Sequence, residues 1–373
     1  MSTIKVDGIR SNSASSDAIT LANDGTCTAN VTNNLSNRNK IINGGQQIFQ
    51  RGTSEIRTGG NDGYYPGIAD RWSIRMHTSM GQQTFSQDTS DTPDGFGSSQ
   101  KLVRNNAGSS NAAKYFVYDT KLEGQDLQDF AKGTSSAKKF TLSFYVKTGV
   151  SGVYCVEMRD LDNNRMVGGT YTVSNSNWNR YTISFPADTT GAFGNDNGGS
   201  LWVRFWLAAG SNFTSGTART AWAGSVTDSI LAVGQTAQVG DNPADTWQIT
   251  GVQLEVDHTG SGKATDFEHV SYADELRKCQ RYFQNYITYA EYTSGGTGNL
   301  GMPITTLVTP MRTAPTFVVN NESKSSNWTF HSFNFSAPPN SAARGYSYFQ
   351  VLINTSDSNY GYLRRYGNCT AEL

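Results

Sequence analysis

Ile249-Thr-Gly-Val-Gln-Leu-Glu-Val256, followed by Ala264-Thr-Asp-Phe-Glu-His-Val-Ser-Tyr272 and Leu276-Arg-Lys-Cys-Gln-Arg-Tyr-Phe283, sets a strand, a short loop and an amphipathic helix end to end. Trp247 and Ile249 alternate on one face, and the apolar register then passes to Val252, Leu254 and Val256. A period of two that slips by one residue at a glycine predicts a β-bulge at Gly251. Ser271 stands where an N-cap belongs, with Asp274 three residues later in place of the capping-box glutamate. Leu276, Cys279, Phe283 and Tyr286 follow at helical spacing, which predicts a helix over Tyr272–Asn285.

Upstream, the same period of two recurs. Phe140, Leu142, Phe144 and Val146 share a face, as do Tyr181, Ile183 and Phe185, and again Leu201, Val203, Phe205 and Leu207. Alternating strands separated by Gly, Asn and Ser turns predict an all-β fold, an antiparallel β-sandwich of jelly-roll type. The Gly-, Thr- and Ser-rich stretches Ala187–Gly199 and Gly210–Asp245 are then loops at the sandwich ends. Beyond the helix, Tyr286–Tyr292, Thr305–Val308, Thr316–Asn320, Trp328–Phe335, Tyr346–Asn354 and Tyr360–Tyr366 have the pattern of a small C-terminal β module. Three parts result: residues 1–37, polar and poor in apolar groups; a sandwich over 38–270; and the helix with its β module over 271–373.

The totals exclude several functions. Charged residues are 16% and the formal net charge is -1, with no long basic run, so no nucleic-acid partner is expected. No apolar run approaches the roughly 20 residues of a membrane span. The N-terminus lacks the layout of a signal peptide, which places synthesis and folding in a cytosol. Cys27, Cys155, Cys279 and Cys369 lie far apart with no Cys/His cluster, so free thiols and no metal or other cofactor are expected. His77, His258, His269 and His331 form no pairs, and no complete nucleophile-elbow or phosphate-loop motif occurs. His269 suits packing at the helix start better than a role as a base.

Residues 38–373 carry short motifs in a fixed order: Asn39-Lys-Ile-Ile-Asn-Gly-Gly45, Ile48-Phe-Gln-Arg-Gly52, Ala69-Asp-Arg-Trp72, the Thr265–Phe283 junction, Met311-Arg-Thr-Ala-Pro315 and Cys369-Thr-Ala-Glu-Leu373. Together with the opening Met-Ser-Thr-Ile-Lys-Val-Asp, they resemble the tail-fibre and related virion appendage proteins of marine and cyanobacterial phages. That resemblance implies a strand at Asn39–Gly45, a Q-R-G turn, a strand at Ala69–Trp72, and a sandwich similar to carbohydrate-binding modules. It also implies a virion protein assembled in the host cytoplasm. Residues 1–37 would attach to other virion proteins, and a host-surface glycan or receptor would be the partner at the far end. Homotrimers are usual in such fibres. The residues agree with a trimer, because Trp328, Phe330, Phe333, Phe335, Tyr346, Tyr348 and Phe349 crowd a module too small to cover them.

Candidate sites follow from side-chain chemistry. Asp160-Leu-Asp-Asn-Asn164 opens like a Ca²⁺ loop but lacks its glycine and distal glutamate, and a hairpin tip explains it more simply. Glu157 and Glu255 could serve glycoside hydrolysis only across one cleft, and a solvated sheet face accounts for both. The outward stripe Trp202-x-Arg204-x-Trp206 could form a platform for a pyranose ring, with Arg204 and the neighbouring Gln253 or Glu255 bonding to sugar hydroxyls. The other reading, that a loop or second subunit covers this face, is favoured because exposed apolar patches usually mark protein contacts. The expectation is a non-enzymatic tail fibre; a head-associated decoration or fibre protein and a polysaccharide-degrading tailspike are the alternatives.

Overall fold

The computed structural model describes residues 5–23, 27–29, 36–59, 65–66, 68–106, 108–109, 111–257, 260–293, 298–301, 305–324, 328–336, 346–355 and 360–373. Two six-stranded sheets face one another. In spatial order the first runs Asn179–Phe185, Phe140–Thr148, Thr246–Val256, Ser99–Arg104, Gln82–Asp88 and Ser54–Thr58. The second runs Arg165–Val173, Gly152–Asp160, Gly199–Ala209, Tyr115–Glu123, Ser73–Met76 and Tyr65–Pro66. The pairings within both are antiparallel. The fold is therefore the all-β antiparallel sandwich expected.

Each apolar stripe named above enters the layer between the sheets: Phe140, Leu142, Phe144 and Val146 from one, Leu201, Val203, Phe205 and Leu207 from the other. Trp72 stacks on Tyr118 at 4.8 Å, and Tyr118 meets Trp247 edge-on at 5.7 Å, so three large rings fill the middle of the core. Two of the three polar tips find hydrogen-bond partners inside: Trp72 Nε1 donates to the Asn43 carbonyl and the Tyr118 hydroxyl donates to Gln46 Oε1.

The bulge lies where the sequence places it. Ser143 pairs with Gln253 and Tyr145 with Thr250, so Gly251 and Val252 together oppose Phe144. Gly251 has φ +62, the left-handed conformation that a glycine-type bulge requires. A methyl group there would lie 2.7 Å from Phe96 Cζ and 2.9 Å from Tyr145 Cδ2, so neither the backbone nor the space admits another residue. Downstream of the slip, Val252, Leu254 and Val256 all reach the core.

Four expectations need correction. The helix spans Tyr272–Gln280, and Phe283 and Tyr286 belong to the strand Phe283–Thr293; apolar residues at i, i+3 and i+4 there serve a helix end and then a strand face. Asn39–Gly45 is a lead-in and turn, not a strand. Ala69–Trp72 is also a turn, with Arg71 at φ +72, and the strand begins after it at Ser73. Gly210–Asp245 is not a loop at one end. It lies across the outer face of the second sheet, where Phe213, Val226, Ile230 and Leu231 pack on Trp206, Cys155 and Met166. The cap stands as expected, with Ser271 accepting from the Asp274 backbone N–H.

After the helix, Phe283–Thr293, Tyr360–Thr370 and Thr316–Lys324 form a three-stranded sheet with Tyr360–Thr370 in the middle. Gly298–Gly301, Thr305–Met311 and Trp328–Ser336 all pair with Tyr346–Thr355 in a second. The side chains of Trp328, Phe330, Phe333, Phe335, Tyr346, Tyr348 and Phe349, expected to need covering, lie outside the described residues. At the other end, Gly8–Ile9, Ile19–Leu21 and Cys27–Ala29 form a short meander, and none of the described residues from 5 to 37 is buried. Cys27, Cys155, Cys279 and Cys369 are free thiols. No helix among the described residues is long and apolar enough to cross a membrane.

Candidate functional site

Trp202, Arg204 and Trp206 do point away from the main core, but they are buried, at 9%, 7% and 1% exposure. Arg204 lies in register between Glu157 on one neighbouring strand and Asp119 on the other. Its Nη1 is 2.9 Å from Glu157 Oε2, which also accepts from Trp206 Nε1 at 3.1 Å. The guanidinium carbon lies 4.3 Å from the Trp202 ring and 5.2 Å from the Trp206 ring. Arg75 continues the ladder, 3.4 Å from Asp119 Oδ2 and 4.5 Å from the Trp202 ring centre. Burial raises the Asp119 carboxyl above the usual range, while Arg204, the Ser73 hydroxyl and Arg75 pull it back. The Gly210–Asp245 stretch closes over Trp206, and Arg75, Lys121 and Arg204 lie against Trp202, so the indoles act as packing around an ion-pair ladder.

Gln253 and Glu255 are not neighbours of that stripe. They project from the outer face of the opposite sheet and are themselves buried, at 0% and 3%. Strand periodicity gives the face of a residue but not which sheet its strand joins. Gln253 Nε2 donates to Glu255 Oε1 and to Thr265 Oγ1, both at 3.0 Å. Glu255 accepts from the Thr265 backbone and hydroxyl at 2.9 and 2.7 Å, and Arg38 Nε lies 3.6 Å away. Glu268 accepts the backbone N–H groups of Asn37, Arg38 and Asn39. These residues tie the start of the sandwich to the segment that leaves it.

Asp160 sits at the hairpin tip, as expected, and its carboxylate meets Lys132 Nζ at 2.5 Å. Among the described residues no cluster of His, Cys, Asp and Glu is arranged to hold a metal.

The scattered motifs converge on one buried network. Arg51 bridges Asp70 at 2.8 Å and Glu372 at 2.7 Å, and Arg71 also pairs with Glu372. Arg71 stacks on the Tyr282 ring at 3.4 Å, and Arg51 lies over Phe283 at 3.9 Å. Glu123 takes both Arg281 nitrogens, at 3.0 and 2.8 Å, and the Tyr282 hydroxyl at 2.5 Å. Arg312 reaches the carbonyls of Asn197, Ala371 and Glu372. Burial pushes Asp70 up to about 6 against the pull of Arg51 and Gln50. Glu372 is also buried, yet Arg71 and Arg51 hold it below its ordinary value. Five of the motifs supply a member, Arg51 from Q-R-G, Asp70 and Arg71 from A-D-R-W, Arg281 and Tyr282 from the helix end, and Arg312 and Glu372 from the C-terminal pair, whereas Asn39–Gly45 supplies none. The motifs were legible in the sequence, but their meeting point was not.

Beside this network a cleft of about 330 Å³ opens between the 37–47 lead-in, the turn Gly124–Phe130, the 267–270 segment and the helix. Ile41, Ile42, Phe267 and Val270 line it along with Asn37, Gln47, Gln125 and Asp126. It contains none of the five residues singled out from the sequence.

No protein-family model matches the chain. No curated protein matches it either. Among solved structures, it is similar to the enzymatically active domain of tailspike protein 4 from bacteriophage CBA120, at 11% identity and TM-score 0.31, over 60% of this chain and 22% of that one. It is similar to the family 11 carbohydrate-binding module of a cellulosomal cellulase from Clostridium thermocellum, at 12% and 0.26, over 57% and 100%. It is also similar to a Stig cyclase from Fischerella, at 11% and 0.32, over 59% and 97%. These likenesses are distant and concern architecture alone.

Proposed function

We propose that this chain is a non-enzymatic appendage protein of a bacteriophage particle, of the tail-fibre kind, that recognises a host-surface glycan as a homotrimer. The distribution of exposed apolar side chains carries this reading. Val6, Ile9 and Leu21 are exposed in the N-terminal meander, and Ile287, Tyr289, Val308, Val318 and Val319 in the C-terminal module. Between them, the large hydrophobic groups exposed among the described residues are Ile56 and Tyr272. A closed middle with apolar groups left at both ends suits a subunit that docks at one end and associates with its own copies at the other. The N-terminal meander, with nothing buried, gains its order on attachment.

Support for binding without catalysis comes from the acids the fold gathers. Glu157 and Asp119 are laddered with arginines, Glu255 and Glu268 hold backbone, and Glu123 is occupied by Arg281 and Tyr282. A general acid and base need freedom to exchange protons with substrate. Light scattering of the purified chain at micromolar concentration should give three subunits, and a monomer would sink the trimer. A chain beginning at Ser36 should remain folded and soluble yet fail to join particles. Incubation with host-surface polysaccharide should release no oligosaccharide; release that vanishes on replacing one carboxylate would make the protein a depolymerase.

A further inference from the structure

We propose that the cleft between the 37–47 lead-in and the Tyr272–Gln280 helix is a saccharide subsite that accepts a neutral sugar unit. The inference rests on the glycan-recognition reading above and assigns it a place. At about 330 Å³ the cleft lies at the lower end of the range of small-ligand sites, which suits a monosaccharide or disaccharide.

Its charges explain the preference for a neutral ligand. Three cations line it, and each is held by a protein acid: Lys40 by Asp129 at 2.8 Å, Lys278 by Glu275 at 3.5 Å, and Arg281 by Glu123 at 2.8 Å. Of the lining acids, Glu268 is engaged by three backbone N–H groups and Glu275 by the Asn43 N–H. An anionic ligand would have to displace one of these partners, which costs more than the new pair returns, and burial beside Glu123 raises the Asp126 carboxyl, which disfavours the charge a cationic ligand would need. What remains for a ligand is the amide side chains of Asn37 and Gln47, the Oε1 of Gln125, whose Nε2 donates to Glu123 at 2.6 Å, and the carboxylate of Asp126. Ile41, Ile42, Phe267 and Val270 supply apolar surface for the carbon face of a ring. Hydroxyl-bonding groups beside apolar surface match a sugar, which is polar at its edge and apolar on its faces.

The walls are set before any ligand arrives. Glu268 and Asn39 fasten the lead-in to the far wall and to Val252 and Leu254. Leu127 and Phe130 root the Gly124–Phe130 turn in the core, and Cys279 buries the helix. A preformed cleft spares the ligand the cost of ordering loops.

The test uses the full chain, its Ile42→Trp variant, which fills the cleft, and its Gln47→Ala variant, which removes a hydrogen-bonding side chain at a half-buried position. Melting curves confirm that each is folded; should Ile42→Trp fail to fold, Gln47→Ala and Asp126→Asn carry the comparison. Saturation-transfer NMR with glucose, galactose, N-acetylglucosamine and galacturonate, and binding to immobilised host polysaccharide, are measured in parallel. The expected result is binding of at least one neutral sugar but not galacturonate, with affinity reduced at least tenfold by Ile42→Trp and several-fold by Gln47→Ala. Polysaccharide binding that is equal in parent and variants overturns the cleft assignment while glycan recognition stands. Preference for galacturonate overturns the neutral class. Absence of polysaccharide binding by the parent overturns both.

Discussion

Arg51 Nη2 lies 2.7 Å from Glu372 Oε1, an ion pair between residues 321 positions apart in the chain. The same carboxylate pairs with Arg71, which is 4% exposed, so one acidic side chain meets two guanidinium groups, one buried and one half-buried. Arg51 also holds Asp70 at 2.8 Å, and Arg71 donates to the Lys121 carbonyl and stacks on the Tyr282 ring. Glu372→Ala should therefore cost about 3–5 kcal/mol, because it takes from both guanidinium groups the acid they share. Denaturant unfolding of the full chain measures it, and a midpoint unchanged from the parent would show the network to be solvated.

Stability should depend on pH through Asp70. Its folded-state pKa is raised to about 6 by burial, above the unfolded value of 3.8, so the folded chain holds a proton that the unfolded chain has lost between those values. Stability from this group is present below about pH 4 and is lost as pH rises through 6. Glu372 acts in the opposite sense: Arg71 and Arg51 keep its pKa depressed despite burial, and its contribution disappears as pH falls. Asp70→Asn isolates the first effect. The stability of the parent relative to this variant should fall by roughly 3 kcal/mol from pH 4 to 6, two pKa units at 1.36 kcal/mol each. Parallel curves would remove Asp70 as the source.

Gly251→Ala should destabilise the sandwich by about 2 kcal/mol or more. The substitution strains a left-handed residue and drives a methyl group into Phe96 and Tyr145. Thermal unfolding is the readout. If the melting temperature holds, the bulge has moved to another register.

Arg204→Ala separates packing from recognition. It would leave Glu157, at 0% exposure, without its cation between two indoles, and should cost about 3–5 kcal/mol of stability. Glycan binding by the protein that remains folded should be unchanged. Binding lost without loss of stability would return Trp202 and Trp206 to the ligand site.

What was legible in the sequence was local. The slip of period at Gly251, the Ser271 cap, the turn at Asp160 and the inward face of each strand follow from spacing within a few residues, and the structure has all of them. What failed depended on partners far along the chain. Trp202 and Trp206 lie on the face away from the core, as their spacing predicts, but only the fold of residues 211–233 determines that Trp206 is covered. Gln253 stands in the sheet opposite Trp202 and Trp206, and no local pattern tells which sheet a strand enters. The helix is shorter than its spacing predicts, because Phe283 and Tyr286 keep an apolar spacing that also fits the strand they start. The cleft escaped notice because its walls come from four separate stretches, none with a motif of its own.

The order of strands in space has a consequence for how the chain matures as it leaves the ribosome. Thr246–Val256 is the last sandwich strand in sequence, yet it lies between Phe140–Thr148 and Ser99–Arg104. Tyr360–Thr370 likewise follows both strands it separates, Phe283–Thr293 and Thr316–Lys324. Each sheet therefore waits as two unjoined halves, with open edges, until its middle strand is translated. For the sandwich that interval covers the synthesis of the whole Gly210–Asp245 stretch. During it, apolar edges of one nascent chain can meet those of another on the same message, and holding them apart falls to chaperones.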